Sequence, residues 1–144
     1  MSNDTANENK NSLQMMYKHN ANSTLLNILA PRIQKAGGII QFHQKVPLYT
    51  TIDSKHYLFA VGSTEIRDAY YKLASFVNDA MKFGYFFYDG NDEIVLSLVS
   101  KPQEKHQWIV SCFEESWKRP VIWYDNGKLH ASPKTREELA FLWQ

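Results

Sequence analysis

The residues able to do covalent or acid–base chemistry are few and scattered. Cys112 is the single cysteine, and His106 or His130 is the base that could activate it. A thiolate nucleophile needs an electropositive, partly open setting. Cys112 instead falls in an alternating run over residues 108–113, where a free cysteine packs as a small buried hydrophobe. The five histidines (His19, His43, His56, His106, His130) include no pair spaced four apart, and none stands in a recognised metal-ligand pattern with a cysteine or carboxylate. No metal and no cofactor is expected.

Carboxylates cluster twice. Asp89, Asp92 and Glu93 crowd into one turn, where paired carboxylates can share a proton or hold a divalent cation. Asp-Gly-Asn-Asp is also what a tight turn demands, and that is the plainer reading. Glu114 and Glu115 follow the 108–113 run and suit a general acid or base only if they line a pocket. Gly37-Gly38 follows a helix and precedes a strand, the reverse of the order in dinucleotide folds. No serine stands in a nucleophile-elbow pattern. The chain leans away from an enzyme.

Binding is the stronger signal. Eight Tyr, eight Phe and four Trp give an aromatic-rich chain, and many fall late in it. Trp117, Arg119, Trp123, Tyr124 and Lys128 are the expected partner contacts, because Trp, Tyr and Arg dominate binding hot spots. Alternation puts Val121 and Trp123 on one side of a strand and Ile122 and Tyr124 on the other. One aromatic is thereby left for an outer face, unless a helix covers it.

The elements that must hold these residues read as follows. Residues 1–12 are polar and form a tail that buries nothing, ahead of a single domain over 13–144. Asn22 or Ser23 caps a helix to Lys35 with Leu25, Leu29 and Ile33 on one face. Residues 46–52 and 56–61 form a hairpin across Asp53-Ser54-Lys55, with Pro47 marking an edge strand. Over residues 64–83 apolar positions fill one arc of a helical wheel; Ser63 or Thr64 caps that helix and Gly84 stops it. Strands then follow at 85–88, 94–99 and 108–113. A hairpin joins 121–124 to 128–131 across Asn126-Gly127. A short helix starts near Ser132-Pro133 or Thr135 and runs to Trp143.

This order predicts an α+β fold, with an antiparallel meandering sheet packed in two layers against the long central helix. It resembles the two-layer folds of the profilin/PAS kind and the cone-like NTF2 kind, an analogy of architecture alone.

Sixteen basic residues against fifteen acidic ones leave a net charge of +1, too little for the usual nucleic-acid footprint or a membrane-surface patch. The polar start carries no export signal, which predicts a cytoplasmic protein without a membrane span. The expected function is a small protein-binding module of the inhibitor, immunity or adaptor type, acting on another protein or on itself. An alternative is an enzyme or small-ligand binder with a pocket between helix 64–83 and the sheet, lined by Tyr49, His56, Tyr57, Asp89, Cys112 and Glu114. A further alternative, binding of single-stranded nucleic acid, rests on Trp108, Trp117, Trp123 and Tyr124 as stacking residues.

Overall fold

The computed structural model describes residues 20–88, 90 and 92–144; the expected tail over residues 1–12 lies outside the described residues. Helix α1 spans Asn20–Lys35, β1 Leu48–Ile52, β2 Lys55–Gly62 and α2 Ala69–Tyr88. Strand β3 covers Asp92–Leu98. A 3-10 turn at Glu104–His106 leads into α3, Gln107–Ser111, which runs on as a π-helix over Cys112–Ser116. Strands β4 (Val121–Asp125) and β5 (Lys128–Ala131), helix α4 (Pro133–Glu138) and a 3-10 turn at Ala140–Trp143 complete the chain.

The five strands lie in the order β1-β2-β3-β4-β5. The outer pairs, β1 with β2 and β4 with β5, are antiparallel, but β2 with β3 and β3 with β4 are parallel. This overturns the expected antiparallel meander. The cause is the identity of two segments. Residues 85–88 are the last turn of α2, not a strand, and residues 108–113 belong to the α3 and π-helix run. A helix therefore stands between each pair of central strands, and such a crossover returns the chain parallel.

Side-chain spacing explains the second segment. Ile109, Val110 and Phe113 are buried, with Trp117 packed beside them, which is helical spacing. The alternation of Trp108, Val110 and Cys112 is coincidental.

Two layers also become three. On one sheet face Leu58, Ala60, Ile94, Leu96 and Val121 pack with Leu73, Val77 and Ala80 of α2 and with Ile109 and Phe113. On the other, Leu48, Phe59, Val95, Ile122 and Leu129 pack with Leu25, Leu29 and Ile33 of α1 and with Leu139 and Leu142. Strands covered on both faces are buried at successive positions rather than alternate ones, as residues 94–98 are, with Ser97 the one polar residue among them.

Both hairpins turn on residues with positive φ, Asp53 (51°) with Ser54 (68°) and Asn126 (49°) with Gly127 (75°), the pattern of a type I′ turn. Strand β1, which follows Pro47, is an edge strand. Ser132 Oγ accepts a hydrogen bond from the Thr135 amide at 3.3 Å, capping α4, with Pro133 at its first position. The long helix begins at Ala69 rather than at 64, and it runs through Gly84 to Tyr88. No helix among the described residues is long and apolar enough to cross a membrane.

Candidate functional site

The expected partner contacts do not share a surface. Trp117 is half-buried against the α2-side core, and its indole N–H donates to the Tyr70 hydroxyl at 3.3 Å. Trp123 packs on the same side, stacked 6.3 Å from His130 at 17°. Tyr124 packs on the opposite face with the α1-side core. Lys128 is exposed at the start of β5, beyond the hairpin turn. Trp117, Trp123 and Tyr124 are thus each partly buried against one of the two cores.

The expected pocket residues are also dispersed. Tyr49 packs on Phe83 with ring centroids 5.0 Å apart, and burial raises its phenol pKa. His56 stacks on Tyr88 at 3.8 Å and shares a 2.7 Å hydrogen bond with Thr51 Oγ1. Tyr57 faces the other way, edge-on to Phe141 at 4.9 Å. Asp89 lies outside the described residues. Cys112 is half-buried at the head of the π-helix. Only Glu114 and, from the contact set, Arg119 meet in one cleft.

That cleft sits where β3 and β4 begin and α4 crosses beside them, with a volume of about 350 Å³. Four cations (Lys55, Lys118, Arg119, Lys134) face three carboxylates (Glu93, Glu114, Glu138). Local geometry places Glu114, Lys118 and Arg119. The Trp117 amide donates to the Cys112 carbonyl five residues back (3.1 Å), so the chain is wound as a π-helix through Glu114. Lys118 then takes a left-handed φ of 56°, and the Arg119 amide donates back to the Phe113 carbonyl at 2.8 Å, ending the helix just before β4.

Charge in the cleft is partly spent. Lys55 Nζ lies 3.7 Å from Glu93 Oε2. Thr135 Oγ1 donates to Glu114 Oε1 at 3.5 Å. Burial nevertheless pushes both Glu93 and Glu114 above the ordinary carboxylate pKa, with Lys55 opposing it at Glu93 and the Ser132 and Thr135 hydroxyls at Glu114. Arg119 Nε is buried and has no hydrogen-bond partner among the described residues.

A second recess, about 490 Å³, opens between the end of α2 and the start of β3. Met81, Tyr85, Phe86 and Ile94 make it apolar, and Arg119 forms part of its wall as well. Arg119 therefore stands between a charged chamber and a greasy one. Tyr85, Phe86 and Phe87 are 77%, 81% and 59% exposed, far more than folding alone requires of three consecutive aromatics. They were missed because residues 85–88 read as a strand; continuing the 3.6-residue wheel past Gly84 puts Tyr85 and Phe86 on its solvent arc. Glu93 was read only as a turn carboxylate. Compared with family models, with curated proteins and with solved structures, the chain matches none.

Proposed function

We propose that this domain binds a small amphipathic anion, a carboxylate or phosphate ester carrying an apolar body, with Arg119 holding the anionic head. The observation that carries the reading is the double position of Arg119, which lines both the charged cleft and the apolar recess while its Nε has no acceptor among the described residues. A buried polar group left unpaired costs about 1–3 kcal/mol. A ligand oxygen would recover that cost through a charge-assisted bond. The apolar chamber is within the usual range of small-ligand pockets, about 300–1,000 Å³.

The test is a titration of the full chain with octanoate and phenyl phosphate, each beside its head group alone, acetate or inorganic phosphate. Tail-bearing anions should bind at least tenfold more tightly than the heads, and Arg119→Met should remove most of that affinity. Equal binding by wild type and Arg119→Met would sink the reading.

A second reading, the protein-binding module of inhibitor, immunity or adaptor type, is supported by the exposure of Tyr85, Phe86 and Phe87. Contiguous exposed aromatics are what a partner surface buries. Here the contact would centre on the end of α2 beside Arg119, not on Trp117, Trp123 and Tyr124. Concentration-dependent sedimentation tests the self-association form: wild type should associate and Phe86→Asp should not. A wild-type chain that stays monomeric up to millimolar concentration excludes that form.

A further inference from the structure

A third recess lies at the opposite end of α2, about 230 Å³ in volume, and its chemistry differs from that of the Arg119 cleft. Tyr70, Tyr71 and Trp108 line it, beside the His106 imidazole. Tyr70 stands between the other two, its ring centroid 5.6 Å from Trp108 and 5.5 Å from Tyr71. The Tyr70 and Tyr71 rings are near perpendicular at 78°, so they present faces in different directions. Trp108 is 54% exposed and Tyr71 75% exposed, on a protein that buries other large side chains completely. Thr64, only 1% exposed, also lines the recess, and its hydroxyl has no hydrogen-bond partner among the described residues.

Charge selects the occupant. Among the described residues that line the recess, Asp68 is the one carboxylate and there is no lysine or arginine; the other titratable group, the His106 imidazole, lies 3.6 Å from the Glu65 carboxylate, which offsets its charge when it is protonated. The N-terminus of α2 opposes this with roughly half a positive charge, but Asp68 brings a full negative charge to the same helix end. The Arg67 guanidinium is 3.9 Å from the Asp68 carboxylate, with the two side chains 92% and 68% exposed, and such surface pairs hold little. Aromatic faces add negative potential over the same space. The volume is below the usual range for drug-sized ligands, about 300 Å³ and up, so the occupant is compact.

We propose that this recess binds a compact organic ammonium, such as a quaternary or methylated amine, against the faces of Trp108, Tyr70 and Tyr71 with Asp68 as counter-ion. An ammonium that keeps an N–H would also give the Thr64 hydroxyl a partner, which it lacks among the described residues. The site is independent of the Arg119 cleft.

Choline is the probe, with neohexyl alcohol as its uncharged carbon isostere, titrated into the full chain while the Trp108 indole resonance is followed. Choline should move that resonance with a millimolar dissociation constant and bind at least tenfold more tightly than the alcohol. Trp108→Ala and Tyr71→Ala, both at exposed positions that the fold does not need, should each weaken choline at least fivefold. Asp68→Asn should weaken it threefold or more, and Arg119→Met should leave it unchanged. Equal affinity for choline and the alcohol would mean a plain apolar groove and overturn the proposal. So would no response to choline up to tens of millimolar, or variants that bind as wild type does.

Discussion

Gly84 of α2 lies so close to the carboxylate of Asp92, at the start of β3, that a β-carbon added there would collide with its oxygen and press on its Cγ. This contact fixes where the long helix meets the sheet, and it explains a glycine inside a helix. Alanine is favoured over glycine in a helix interior by about 1 kcal/mol, but the collision reaches beyond the tip of a short side chain and is not cleared by rotation alone.

Gly84→Ala is therefore expected to destabilise the fold by about 1–3 kcal/mol, the usual cost of overpacking. A lower urea midpoint at unchanged slope would show it. In an Asp92→Ala background the same change should become neutral or stabilising, and a double-mutant cycle gives the coupling directly. Additive effects would mean that the two residues do not constrain each other.

How far the sequence disclosed this arrangement depends on the residue. The wheel over 64–83 put Leu73, Val77 and Ala80 on the core face, and all three are fully buried. Asn126-Gly127 and Asp53-Ser54 marked hairpins because left-handed backbone demands such residues. The parallel centre of the sheet was hidden by a local ambiguity. Over six residues Trp108, Val110 and Cys112 satisfy strand alternation, while Ile109, Val110, Phe113 and Trp117 satisfy a helix only when the window extends four residues further. A signal for parallel strands was present in the apolar runs at 57–61 and 94–96, since half-exposed strands alternate. The Arg119 cleft was illegible for another reason: Lys55, Glu93, Glu114, Arg119 and Lys134 come from five segments and meet only through tertiary packing.

Leu73 supplies a control on the layer that carries both recesses. It is fully buried against the sheet from the middle of α2. Leu73→Ala should cost about 2–5 kcal/mol by lost burial and a residual cavity. Thermal unfolding followed at 222 nm would measure it. A cost under about 0.5 kcal/mol, typical of surface changes, would mean that α2 is not packed on β2 and β3 as described.

The raised pKa values of Glu93 and Glu114 give a pH prediction whose sign is fixed. Each carboxyl holds its proton more tightly in the folded chain than at its ordinary value of 4.5. Between that value and the raised one, the folded state carries more protons than the unfolded state, so stability falls as pH rises through the window. Below pH 4.5 the two groups add no slope, and above the raised value their cost is constant. Glu93→Gln with Glu114→Gln should flatten this part of the stability profile, making the variant relatively more stable at pH 7 than at pH 4. Denaturant midpoints across pH 4–8 for both proteins test it. A variant that loses ground on going from pH 4 to pH 7 would reverse the sign.

At the other end of the chain the Trp143 indole N–H donates to the Leu129 carbonyl at 3.1 Å, and the Arg136 guanidinium sits 5.0 Å from its ring. The bond ties the C-terminal turn to edge strand β5. Trp143→Phe keeps an aromatic but leaves that carbonyl without its donor, and is expected to cost about 1 kcal/mol. Native-state hydrogen exchange should show faster opening of β4 and β5 than of β2 and β3. Uniform acceleration across the whole sheet would assign the bond to global stability instead.

Phe86 separates folding from binding. Its ring is mostly in solvent at the lip of the apolar recess, so Phe86→Ser should change stability by no more than about 0.5 kcal/mol. The same change removes apolar contact from one wall and should weaken octanoate several-fold while leaving acetate unaffected, because the head group depends on Arg119. A large loss of stability would make Phe86 part of the core and deprive the recess of its wall. Unaltered stability with unaltered octanoate binding would empty the apolar chamber of its role and leave the exposed aromatics to a protein partner.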